Sequence, residues 1–456
     1  MRVRTNLSVY TIVVVATLLT APLARGSALV VGTCLKGYFE VGSIQAAVVD
    51  LPPGGIAYIC PGTYPEQVFI NKSITLTGLS DNGLVGNAAS GANNPTIVSP
   101  AHGVVANASD LYAGEPPIAA QIAIVTPAGA SHPIVVNINN LTVDGSNNGI
   151  NGGCSPDIVG ILYQNASGTV NHVTTRFQYQ GQNTLNGCQS GLGVFAEENG
   201  AFGATKVTVE DSSVHDYNKN GITVDGGNVV GTVTATISNN YVVGIGATPL
   251  TAQNGIQISA GAIGKITGNT VTGDVYINPE GGPYYSASGI LLYDSGGSST
   301  VPLLVQSNAV SNTQGAIVAY GDTAGNADFV KVVSNKITSS PVAGIYNIDG
   351  IDLCSNNNTA TSNTIFNSSG SGIHIDSQCT EIGGVSGNNT TVTKNTVLEA
   401  CAGVLLGNGT GNSATLNTTF DVLQTTFAGD TCPSGGALPQ RQGPRHIPSP
   451  YGKGAK

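Results

Sequence analysis

The chain has 456 residues, with 62 glycines, no tryptophan, 40% hydrophobic residues and only 9% charged ones. Sixteen basic against 26 acidic residues give a net charge of −10, which excludes a nucleic-acid binder because too few cations are present to meet phosphates. The scarcity of long helix-forming side chains excludes coiled coils and helical bundles, and the many Val and Ile point to a folded, strand-rich chain.

In chain order, Arg2 and Arg4 precede an apolar run from Val9 to Leu19, followed by small residues at Gly26, Ser27 and Ala28. This is the layout of a secretory signal peptide, residues 1–28, cleaved between Ala24 and Ala28. An uncleaved anchor is the weaker reading, since the run is short for a span. Removing residues 1–28 takes three arginines and no acid and leaves a net charge of −13. No second long apolar run follows, so the mature protein is expected to be secreted, extracellular, periplasmic or at the cell surface, without stable membrane insertion.

Eight cysteines stand at 34, 60, 154, 188, 354, 379, 401 and 432. An even number in an exported chain points to disulfides, but eight allow roughly a hundred connectivities. Pairing neighbours in order closes four short loops. A Cys34–Cys60 bond would hold the start of the fold against fraying. A metal site is disfavoured because no Cys-x-x-Cys pair exists.

The stretch Ser43 to Gly78 reads SIQAAVVDLPPGGIAYICPGTYPEQVFINKSITLTG. Ser43 can cap a short helix over 43–50 whose apolar face is Ile44, Ala47 and Val48, ended by Pro52-Pro53-Gly54-Gly55. Strands are predicted at Ile56–Cys60, Gln67–Ile70 and Ser73–Leu76. Residues 79–135 are Ala-, Asn- and Pro-rich and read as coils with long loops.

From there the chain repeats irregularly. Gly-Ile or Gly-Val recurs at Gly160, Gly193, Gly221, Gly255, Gly289, Gly344, Gly372 and Gly403, with a looser copy at Gly315, at intervals of 26 to 34 residues. A second element is an Asn beside a short strand, at Asn240, Asn269, Asn308, Asn335, Asn363 and Asn395. Short strands at a steady interval, punctuated by Gly and Asn, predict the coils of an all-β solenoid, a right-handed parallel β-helix over 29–432, with the helix near 43–50 as its N-terminal cap. Gly and Asn are expected at corners because both tolerate left-handed backbone angles. A β-propeller or sandwich array would need longer strands and a more aromatic core than 5% allows. Residues 433–456 are Pro/Gly-rich with four cations and no acid, and read as a flexible basic tail.

The pattern SIQAAV…PGG…ICPGTYPEQVFINKSITLTG resembles the opening coils of pectin lyase-like β-helix proteins, among them pectinesterases and the periplasmic copper-pathway proteins. The later Gly/Asn repeats resemble the generic repeats of that superfamily. The resemblance implies a fold rather than an activity, because enzymes, binding proteins and phage spikes share it. Against pectinesterases, Asn183 stands where a first Asp is expected, Asp328 resembles the second, and the family's Trp is missing. Against polygalacturonases, His102-Gly103 is present without an Asp-Asp pair or Arg-x-Lys. Against pectate lyases, Arg176 is the one arginine between signal and tail and lacks the flanking pattern.

Strand alternation places two columns on the outer face after each Gly-Ile corner. The first is Leu162, Phe195, Thr223, Gln257, Leu291, Val318, Tyr346, His374 and Leu405. The second is Gln164, Glu197, Asp225, Ser259, Tyr293, Tyr320, Asp349 and Asp376. Glu197 and Asp225 then sit about one strand spacing apart and form a candidate carboxyl pair for glycoside hydrolysis. His374 and Asp376 share a face and are candidates for acid/base work. Tyr293, Tyr320 and Tyr346 form an expected exposed ladder for stacking on sugar rings. Asp294, Asp322 and Asp349 recur near one corner and are candidate calcium ligands; otherwise no cofactor is expected. Asn71, Asn107, Asn140 and Asn165 head glycosylation sequons.

The expected function is an exported, monomeric carbohydrate-active protein that binds, and in its stronger form cleaves, an extracellular polysaccharide or cell-surface glycan. An uncharged or mildly cationic glycan suits the cation-poor body. The alternatives are a noncatalytic surface or adhesion module, supported by the missing enzyme signatures, and a periplasmic maturation factor, weakened by the absence of any methionine beyond Met1.

Overall fold

The computed structural model describes residues 27–79, 94–151, 153–180, 187–277, 286–322, 327–338, 349–368, 370–379 and 386–432. Of the expected signal peptide 1–28, residues 1–26 lie outside them, as do the expected tail 433–456, the Gly344-Ile345 corner with Tyr346, and Asn183, whereas Ala28 already pairs with Ile56 in a strand.

The chain coils into a parallel solenoid. Its described strands form a 14-stranded and a 22-stranded sheet, in which each strand pairs with its counterpart one coil away. The inward columns are those that alternation demands. On the larger sheet Ile161, Val194, Ile222, Ile256, Ile290, Ile317, Ile351, Ile373 and Val404 stack as direct register partners. On the smaller sheet Ala57, Leu76, Ile138, Val170, Val209, Ile237, Ile266, Val305, Val332, Ala360 and Val392 do the same. All are buried in one continuous core, where each fully buried Val, Leu or Ile contributes about 1.5–3 kcal/mol.

The asparagine repeat is a ladder inside the wall. Asn240, Asn269, Asn308, Asn335, Asn363, Asn395 and Asn417 succeed one another. Each Asn from 240 to 395 donates its backbone N–H and its Nδ2 to the Oδ1 of the next coil's Asn, at 2.9 to 3.0 Å. The left-handed residue at each corner is not the ladder Asn but the one before it: Asn239, Gly268, Ser307, Ser334, Ser362, Lys394 and Leu416 have φ of 55° to 70°. The corner turns one residue early so that the amide can reach along the axis to its neighbour.

The cap is built as expected. In the helix Ile44–Asp50, Ser43 Oγ accepts the Ala46 N–H, and Ile44, Ala47 and Val48 are buried. Glu66 accepts the Ile44 and Gln45 N–H groups, both at 2.9 Å, and Lys72 Nζ donates to the Val49 and Leu51 carbonyls. Side chains from the first coil thus satisfy both helix ends. The cysteines pair in chain order as Cys34–Cys60, Cys154–Cys188, Cys354–Cys379 and Cys401–Cys432. Among the described residues no helix is long and apolar enough to cross a membrane.

Candidate functional site

On the wall of the larger sheet that follows the Gly-Ile corners, the outer face is not open to solvent. The first outward column is buried at Leu162, Phe195, Thr223, Gln257, Leu291, Val318, His374 and Leu405. Near the N-terminal end a second apolar cluster of Ile118, Ala120, Ala123, Val159, Leu162, Leu192 and Phe195 forms on this face. Over it runs a strap, residues 105–117, held by side chains from several coils. Gln67 exchanges two hydrogen bonds with the Val105 backbone, Asn107 exchanges two with the Ala120 backbone, and Gln164 Nε2 donates to Ser109 O.

Glu197 and Asp225 are register partners on adjacent coils, as alternation requires. They are not surface acids: their exposures are 2% and 0%. Glu197 accepts from Gln164 Nε2 at 2.6 Å and from the Leu111 N–H at 3.2 Å. Asp225 accepts from the Tyr112 hydroxyl, the Ser259 hydroxyl and the Gly227 N–H. The pair therefore latches two successive residues of the strap.

Beside the latch lies a small cleft. Asp110, carried by the strap, lines it together with Asp157, Lys219, Val159, Leu192, Phe195, Gln189, Asn220 and Thr223. Burial and the nearby Glu115 push the Asp110 carboxyl up to about 7. Burial, then Asp110 and Glu115, push Asp157 up to about 8, against a hydrogen bond from Ser190. Burial, and to a lesser degree Asp110, raises Glu197 to about 8 and Asp225 to about 7. Burial lowers Lys219 to about 7; its Nζ donates to the Ala252 carbonyl at 2.7 Å. The site thus concentrates groups that exchange protons near neutral pH, which is what acid/base chemistry requires. Sequence reasoning found Glu197 and Asp225 but missed Asp110, Asp157 and Lys219. Asp110 lies on a strap that no periodicity marks, and the other two stand just before the outward column.

The remaining candidates are placed differently from their expectation. Tyr293 and Tyr320 are register partners with rings stacked at 5.7 Å, but their exposures are 9% and 2%. They pack against Leu291, Val318 and the Cys354–Cys379 bond, and so present no stacking face for a sugar. Tyr346 lies outside the described residues. The coil after Tyr320 is made by Ile351–Cys354, so Asp352 and Cys354 occupy the column positions assigned to Tyr346 and Asp349. Gly350-Ile351, six residues after Gly344-Ile345, opens that strand.

Asp294, Asp322 and Asp349 are not brought together as one donor set. Asp294 Oδ1 accepts the Asp322 N–H and Asp322 accepts the Tyr293 hydroxyl, whereas Asp349 groups with Asp352 and His374. His374 and Asp376 are both buried, with His374 Nδ1 3.8 Å from Asp376 Oδ2. Against the cost of burial, Asp376, Asp349 and Asp430 raise the His374 imidazole to about 10. Arg176 pairs with Asp144 at 2.8 Å, and Asp328 accepts the Asn356 N–H at 2.8 Å. Of the sequon residues, Asn71 is exposed, the Asn107 amide is bonded to Ala120, and Asn140 and Asn165 are buried.

No protein-family model matches the chain, and no curated protein matches it. Solved structures do match at low identity. GH136 lacto-N-biosidase from Eubacterium ramulus is 12% identical, with a TM-score of 0.51 over 84% of this chain and 64% of that one. The mannuronan C-5 epimerase AlgE4 A-module of Azotobacter vinelandii is 14% identical, with a TM-score of 0.46 over 82% of this chain and 89% of that one. DFA-IIIase from Arthrobacter chlorophenolicus A6 is 14% identical, with a TM-score of 0.40 over 83% of this chain and 86% of that one. The likeness to the biosidase is a likeness of fold, and the chain spans 64% of that protein's length.

Proposed function

We propose that this β-helix protein is an exported carbohydrate-active protein that binds an extracellular polysaccharide in the cleft beneath the strap and hydrolyses it there. The observation that carries the reading is the presence of Asp110 and Asp157 in one cleft, both held partly protonated near neutral pH. Glycoside hydrolysis needs one carboxyl to protonate the leaving oxygen and another to act as base or nucleophile. Asp157, the more strongly raised, is assigned the acid role and Asp110 the second. Lys219, Asn220, Thr223 and Gln189 supply hydrogen bonds for sugar hydroxyls. Glu197 and Asp225 act as positioning residues, fixing Asp110 through Leu111 and Tyr112. Export is supported by the signal-like N-terminus and by four disulfides.

Release of reducing ends from a panel of neutral, amino and acidic polysaccharides tests this. The expected result is cleavage of a neutral or amino glycan, lost in Asp157→Asn and Asp110→Asn. Full turnover in either variant would sink the assignment. Tight binding of a glycan that is never cleaved would favour the second reading, a noncatalytic adhesion platform.

A further inference from the structure

The two ends of the solenoid are closed unequally. At the N-terminal end the helix Ile44–Asp50 lies over the core, and its Gln45 side chain occupies the first edge of the larger sheet. Gln45 Oε1 accepts the Phe69 N–H at 2.7 Å, and Nε2 donates to the Phe69 carbonyl at 3.3 Å. At the C-terminal end the last strand, Thr418–Ala428, pairs with Thr396–Leu406 on one side, and no other described strand pairs with it. None of the residues from Ser413 to Ala428 is buried, although the coil beneath buries Val392, Val397, Ala400 and Val404. Leu416, Phe420 and Leu423 are 74%, 56% and 48% exposed. The asparagine ladder stops here as well, at Asn417, whose Nδ2 donates back to the Val392 carbonyl at 3.1 Å.

We propose that this end docks on the same end of a second copy of the chain, about a two-fold axis that sets the two last strands edge to edge and antiparallel. The strand reads TTFDVLQTTFA. It is eleven residues long, contains no proline, lysine or arginine, and carries one acid, Asp421, at a corner where φ is 52°. Edges that must stay unpaired are short, or are guarded by lysine, proline or inward charge. This edge has none of those guards, and its near-neutral surface sets little like charge against a copy of itself.

Two other occupants fit less well. Head-to-tail stacking would need the first edge, which Gln45 and the helix already fill, so like ends meet and the assembly closes as a dimer. The residues that follow, 433–456, have prolines at 433, 439, 444, 448 and 450, so no run of more than six residues is free of proline. Proline brings no N–H to a ladder, and such a sequence cannot pair along eleven residues. Cys432, where that segment begins, is bonded to Cys401 and packs on the outer face of the wall, to one side of the core. Size is adequate. A coil of 22 residues, the step from Asn395 to Asn417, at about 3.3 Å per residue encloses with its side chains an end face of roughly 600–700 Å2. Two such faces cover roughly 1,200–1,400 Å2, the lower part of the range for specific interfaces. The proposal replaces the monomer expected from the sequence.

The test weighs the full secreted chain by sedimentation equilibrium between about 1 and 100 µM, a span that brackets the micromolar dissociation constant an interface of this size supports. A dimer is expected at the higher concentration. Phe420→Lys and Leu423→Lys each bring like charges together across the two-fold and should weaken the dimer by about 100-fold or more. Both side chains are exposed, so the melting temperature of the dilute protein should not move. Hydrogen exchange gives a readout without mutation: the amides of Thr418–Ala428 should be protected at the higher concentration and open at the lower. A wild-type chain that stays monomeric throughout overturns the proposal, and edge amides protected at every concentration would then show that a segment of the same chain covers the end. Open-ended polymers, or dimers that survive both lysine variants, would overturn it too. The readout is mass, so it stands or falls apart from cleavage at the cleft.

Discussion

Two acid clusters, the first with two half-buried members and the second buried, sit on one face of one sheet, and they solve the same electrostatic problem in opposite ways. Beneath the strap, Asp110, Asp157, Glu197 and Asp225 have mainly one another and solvent-poor surroundings, so burial drives their carboxyls up and they hold protons near neutral pH. Around His374 the carboxyls meet an imidazole, and Asp430 is held down to about 2 by hydrogen bonds from His374 and Ser377 despite its burial. Burial alone therefore does not decide whether an inward-packed acid is charged; the partner does. The first cluster is arranged to exchange protons and the second to hold a positive centre.

Removing that centre should give the largest effect on stability. His374→Gln removes the imidazole that these buried carboxylates face, and a loss of about 3–5 kcal/mol is expected from denaturant titration. An unchanged midpoint would show that the two clusters are electrostatically alike after all. Next comes Asp157→Asn, which should lower glycan turnover by about 100-fold or more while leaving the melting temperature within a few degrees.

Asp225 sharpens the contrast through pH. Its carboxyl is raised from 3.8 to about 7, so the stability it lends is fully present below about pH 4 and disappears as pH climbs to 7. Glu197, Asp110 and Asp157 act in the same sense, whereas Lys219, lowered to about 7, opposes them only above that pH. Asp225→Asn cannot ionise. The wild-type minus variant difference should therefore fall by about 1–3 kcal/mol between pH 4 and 7, and a flat difference would mean that the carboxyl titrates normally. Smallest is Tyr112→Phe, which removes one latch bond at a cost of about 1 kcal/mol and should speed hydrogen exchange at the Leu111 amide. Unaltered exchange there would show that the strap is held without its latch.

The interior was readable because it obeys a local rule. Each Gly-Ile corner fixes which side chains point inward, and Ile222, Ile256 and Ile290 stack as the alternation says. The outer face was misjudged because alternation names a face without saying what covers it. A warning was present: a column reading Leu162, Phe195, Leu291, Val318 and Leu405 is too apolar to face water. The strap itself left no signal, since apart from the Asn107–Ala120 bonds its hold depends on partners 38 to 113 residues away, from Gln67–Val105 to Tyr112–Asp225. The Asp349 assignment failed for a simpler reason. Two Gly-Ile pairs lie six residues apart, at Gly344 and Gly350, and only pairing with Tyr320 and His374 selects the second.

The asparagine ladder has a direction, and the direction matters while the chain is being made. From Asn240 to Asn395, each buried backbone N–H is satisfied by a side chain that lies 22 to 39 residues later in the sequence. A chain emerging N-terminus first, at the ribosome or across a membrane, therefore ends at every moment in a coil whose wall amide still lacks its acceptor. Each new coil completes the previous one and opens the same need in itself. Assembly is thereby biased to advance like a zip from the helical cap, and a chain halted midway carries one unfinished coil at its tip rather than disorder spread along its length.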